Sequence, residues 1–108
     1  MARVVNLSTG VAASAGDKTA VAVGMKSPFF PNRDVIAHID LDGATGTSAV
    51  IAIDGSHDNT VWVADVATYT GLGHAEVSCP VYEWMRPSVT TAAGTAAGLL
   101  SVWLELGG

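Results

Sequence analysis

The chain has 108 residues, of which 49% are hydrophobic and 14% charged, and its net charge is −5. That length holds one domain, which buries a little over about 60% of the surface its unfolded chain exposes. The five basic residues are too scattered for the clustered phosphate contacts that nucleic acid needs, the lone Cys79 has no partner in the chain for a disulfide, and no run approaches the roughly 18 apolar residues of a membrane-crossing helix.

Arg3-Val-Val-Asn-Leu7 predicts a short strand, and Ser8 to Asp17 a loop of small residues. Residues 1–17 therefore read as an arm and loop ahead of a single β-sandwich domain over 18–108. Asn6 and Ser8 break the apolar start too early for an export signal, although Ala12-Ala-Ser-Ala15 mimics a cleavage site, so synthesis in a cytoplasm is expected. Lys18–Gly24 has the β-branched content of a strand. Pro28-Phe-Phe-Pro31 must be a loop, because its two prolines remove ladder donors and restrict the residues before them.

Val35–Leu41 alternates cleanly: Val35, Ala37, Ile39 and Leu41 share one face, Ile36, His38 and Asp40 the wetter one. Asp42-Gly-Ala-Thr-Gly46 is a turn, and the apolar run Ser48–Ile53 fits a strand in the middle of a packed sheet. Asp54–Asn59 turns the chain again before Thr60–Val66, where Trp62 is the expected core anchor. After the Tyr69–Gly73 loop, His74–Cys79 and Pro80–Val89 predict two strands that meet at Pro80, a residue confined to edges, bulges and strand starts. Thr90–Gly98 reads as a loop with little burial, and Leu100, Val102, Leu104 and Leu106 form one face of a last strand.

About eight short strands at sandwich-like spacing, with no helical periodicity, predict an all-β antiparallel sandwich of jelly-roll type. Alanine buries little area, so the core is expected to rest on Val, Ile, Leu and the three tryptophans. Cys79 is expected as a small buried hydrophobe, not as a reactive thiol paired with His74.

Chemistry-bearing groupings are few. Asp40-Leu-Asp-Gly43 opens like a calcium loop, but the twelfth position from Asp40 is Ile51, where an EF-hand needs a bidentate Glu. Together with Asp54-Gly-Ser-His-Asp-Asn59 it reads as hairpin-turn chemistry. His38, His57 and His74 lie on separate elements without zinc spacing, no Gly-x-Ser-x-Gly elbow occurs, and Glu76, Glu83 and Glu105 read as solvated strand residues. No catalytic, cofactor-binding or metal residue is nominated, no cofactor is implied, and a non-enzymatic role is expected. Low charge and abundant Ala, Val, Gly and Thr point to a surface covered by protein, either a partner or further copies in a dimer or trimer. Candidate partner-binding residues are Arg3, Val4, Val5 and Leu7 of the arm, which could add a strand to a neighbour's sheet or pair within its own domain. Phe29 and Phe30 join them as an apolar knuckle that either anchors a partner or caps the sandwich.

Ile53–Trp62, Glu76–Thr90 and Gly98–Glu105 together resemble small structural proteins of tailed phages, above all the capsid decoration or cement proteins. Their shared pattern is a Gly-Ser-x-Asp…Trp hairpin, a strand with an aromatic, an Arg and a Pro, and a short final strand. The resemblance implies a jelly roll on the outside of the virion capsid. There it would bind the major capsid protein, bridge its subunits and stabilise the head against packed DNA, with repeated weak contacts adding up by avidity. No site residues carry over, and the chain departs from the pattern with Cys79 where Leu is common and Glu83-Trp84 where Arg-Tyr is common. The alternatives are a carbohydrate- or receptor-binding module of a phage fibre or tail, with Tyr69, Trp84 and Trp103 as a sugar platform, and a head-tail or tail structural subunit.

Overall fold

The computed structural model describes residues 3–23 and 34–106, and the candidate residues Phe29 and Phe30 lie outside the described residues. Nine strands and no helix are found among the described residues. They are β1 (Arg3–Ala12), β2 (Gly16–Asp17), β3 (Val21–Ala22), β4 (Asp34–Asp42), β5 (Ala49–Ser56), β6 (Trp62–Gly71), β7 (His74–Pro80), β8 (Trp84–Thr91) and β9 (Leu99–Leu106). One sheet has the order β1-β9-β4-β7; the other has β2-β8-β5-β6, with β3 also on β8.

This order is that of a jelly roll. Residues 16–23 run along β8 as one interrupted edge strand: Gly16 and Asp17 face Val89 and Ser88, the Lys18 amide donates to the Pro87 carbonyl, and Val21 and Ala22 face Met85 and Trp84. Counting β2 and β3 as one strand, the antiparallel pairs β1·β9, β2/β3·β8, β4·β7 and β5·β6 nest inside one another like a single long hairpin. Folding that hairpin over on itself adds the ladders β4·β9 and β5·β8 and creates the two sheets. The expected sandwich and its type are both present.

Alternation places the faces as expected on β4 and β9. Ala37, Ile39, Leu41, Leu100, Val102 and Leu104 are buried against Ile51, Ile53, Met85 and Val89 of the other sheet. Cys79 is fully buried among them, and its Sγ lies 3.4 Å from the Pro80 carbonyl oxygen. Several expectations are corrected. None of the three tryptophans belongs to the core, which is built from smaller aliphatic side chains and Met85. Trp62 packs on the outer face of its sheet, 4.1 Å beneath the Arg86 guanidinium. Its neighbours Val61 and Val63 are exposed, because the β5–β6 ladder is broken by a bulge between Ile53 and Gly55 and Asp65 turns to φ 58°.

Ser8–Ala12 is strand rather than loop. β1 stays paired with β9 through Ala12, accommodating Gly10 at φ 59° by register shifts after Asn6 and Ser8. Residues 3–17 thus contribute β1 and β2 to the sandwich itself. The segment after β8 is also better anchored than expected: Ala93 is buried and Thr45 pairs with Ala96.

Candidate functional site

The outward side chains of the first sheet form a grid. Reading across β1, β9, β4 and β7, one row is Val4, Glu105, Ile36 and Ser78, and the next is Asn6, Trp103, His38 and Glu76. A third row continues with Ser101, Asp40 and His74. Residues far apart in sequence become neighbours because antiparallel register brings facing side chains to roughly 5 Å and leaves diagonal pairs within reach.

His38 is the centre of this grid. Its ring stacks on Trp103 with 5.0 Å between centroids and 3° between planes. Its Nε2 stands 3.0 Å from Glu105 Oε2, and its Nδ1 stands 3.5 Å from Glu76 Oε1. His74 tilts over the same ring at 5.6 Å and approaches Asp40, Nδ1 to Oδ1, at 3.9 Å. One donor atom each from His38, His74 and Glu76 lies within 4.8 Å of the others, so these three could hold a metal ion. Sequence reasoning missed this convergence because it depends on the β4–β7 register, which no local spacing encodes. The only signal was that His38 and Asp40, and likewise His74 and Glu76, sit two apart and so share a strand face.

The opposite outer face carries a structural ion network. Arg86 Nε is 3.2 Å from Asp54 Oδ2 and its Nη2 is 3.2 Å from Asp17 Oδ2, while the Ser88 hydroxyl donates to Asp17 at 2.7 Å. Asp54, buried although it points outward, also accepts from the Asp65 amide at 3.0 Å and so holds the bulge. At the tip of the long hairpin, Asp58 Oδ1 accepts from the amides of Thr60 and Val61, both at 2.9 Å, and from the Ser56 hydroxyl at 3.1 Å. The Val61 and Thr60 amides hold its carboxyl below the usual carboxylate range. The Asp54–Asn59 segment expected to supply turn chemistry therefore has both its carboxylates committed, Asp54 to Arg86 and the bulge and Asp58 to the turn.

Among the nominated partner-binding residues, Val4 is 54% exposed, Val5 is half-buried against the core, and Leu7 is 4% exposed. Leu7 is corrected from a partner contact to a core residue, because alternation along β1 turns it inward. Of Arg3 only the backbone, paired with Leu106, is described. The aromatic platform also fails to assemble. Trp103 lies on the outer face of one sheet, Trp84 alternates outward from the other, and Tyr69 packs against the core with its hydroxyl accepting the Gly73 amide at 3.2 Å.

The fold and its surfaces define a small jelly-roll sandwich. Comparison of the chain with protein-family models, with curated proteins and with solved structures finds no match.

Proposed function

We propose that the protein is a non-enzymatic structural component that binds the outer surface of a phage capsid and stabilises the head by bridging major capsid subunits. The observation that carries this reading is the edge of β1. β1 ends its sheet, and among the described residues no strand pairs with its other side. The register shifts of β1 fall after Asn6, so Arg3–Asn6 remains a regular stretch with Val4 exposed. Bulges are a common device for protecting an edge strand, and a regular apolar edge is a template for another chain's backbone. Exposed Ile36, across Glu105 from Val4, extends the apolar contact onto the sheet face. The resemblance of the β5–β6 hairpin, β8 and β9 to decoration proteins supports the same role.

The test is cosedimentation of purified protein with phage heads that lack it. The expected result is binding in hundreds of copies per head, abolished by Val4→Asp, a substitution that leaves an exposed position exposed. Failure to bind any head, or a glycan-dependent change in tryptophan fluorescence, would overturn the reading in favour of a fibre module.

A further inference from the structure

His38, His74 and Glu76 are brought together by two rigid neighbouring strands, with His38 facing Glu76 and Asp40 facing His74 in the β4·β7 ladder. We propose that these three side chains form a binding site for one divalent transition-metal ion of the zinc type, on the outer face of the β1-β9-β4-β7 sheet. Two imidazoles and a carboxylate are a donor set that zinc accepts, leaving a fourth position open to water or to a ligand from another molecule.

The geometry around His38 is that of a metal ligand with its supporting shell already in place. The Glu105 carboxylate can only accept, so the contact at 3.0 Å puts a proton on His38 Nε2, and in the neutral ring this tautomer turns the Nδ1 lone pair toward the site. A carboxylate behind the ligand ring is the usual device that fixes the tautomer and orientation of a metal-bound histidine. Trp103, stacked on the ring, removes its remaining rotational freedom.

On the other side, the 3.5 Å from Nδ1 to Glu76 Oε1 is longer than a good N–H···O hydrogen bond. It is close to the roughly 3.3 Å that separates two ligands on a tetrahedral zinc. Among the described residues the His38 side chain makes no other hydrogen bond than the one to Glu105. Asp40 adds a further negative charge beside His74, and the 47% and 62% exposure of the His74 and Glu76 side chains leaves the site reachable from solvent.

The experiment uses the untagged full chain, stripped with chelator and titrated at neutral pH with ZnCl2 by calorimetry and with CoCl2 by visible absorption. One equivalent is expected to bind, with d–d bands of a low-coordinate cobalt site. His74→Ala and Glu76→Ala, both at exposed positions that the fold does not depend on, are each expected to weaken binding by about tenfold or more, as is Glu105→Ala through loss of the supporting carboxylate. Zinc is also expected to raise the melting temperature of the parent protein and not that of His74→Ala. No stoichiometric uptake at millimolar zinc, or uptake unchanged by His74→Ala and Glu76→Ala, would overturn the proposal. Neither outcome bears on head binding.

Discussion

The guanidinium of Arg86 lies 4.1 Å from the centre of the Trp62 ring while its nitrogens hold Asp54 and Asp17. One side chain therefore ties β8 to β5, to the bulged β6 and to the edge strand β2. Arg86→Ala would leave the Asp54 carboxylate, whose side chain is 7% exposed, without its cation. The expected loss is about 2–4 kcal/mol of unfolding free energy. Arg86→Lys should recover only part of it, because an ammonium lacks the planar fork that bonds and stacks at once. Urea denaturation of the three proteins checks this.

Asp58 titrates with its environment. Its carboxyl is held below the ordinary 3.8 by the Val61 and Thr60 amides. A depressed folded value means that its contribution to stability is present above the unfolded value and is lost as pH falls through the folded one. The turn at 56–61 is thus expected to loosen only below about pH 3.8, and carboxyl-carbon NMR titration should give Asp58 a midpoint under that value. A midpoint at or above it would contradict the turn geometry.

Gly55 faces the ring of Tyr82, and a Cβ built there overlaps ring atoms. Gly55 is buried, so the ring cannot simply swing into solvent without uncovering β5. Gly55→Ala is expected to destabilise by about 1–3 kcal/mol, and pairing it with Tyr82→Ala in a double-mutant cycle should show a strong favourable coupling.

The face assignment on β4 can be tested with two isoleucines. Ile39 is fully buried and Ile36 is 42% exposed. Ile39→Ala should cost about 2–5 kcal/mol through lost burial and the cavity left behind. Ile36→Ala should stay within about 0.5 kcal/mol. Equal losses would mean that the register is wrong.

The same two residues show how much was legible beforehand. On β4 and β9 strict alternation of apolar and polar side chains sufficed, because a half-buried strand has period two and only one register hides its apolar set. Ser8–Ala12 was not legible: Ser8, Gly10 and Ala12 interrupt the β-branched Thr9 and Val11 with small residues of low strand preference, and it is β9 that offers the segment its backbone partners. Trp62 misled because size suggests burial, whereas a cation above the ring makes an outward position favourable.

By itself, the sequence determined the class of fold, the number of strands to within one, and which turns would need Asp and Gly, since these follow from local backbone preferences and short-range period. The tertiary structure alone decided the strand order, the place of β1 at the end of its sheet among the described residues and the meeting of His38, His74, Glu76 and Glu105. Those depend on ladders between segments up to the whole chain apart, and contacts of that range are set by the global packing of two sheets, not by any neighbour along the backbone.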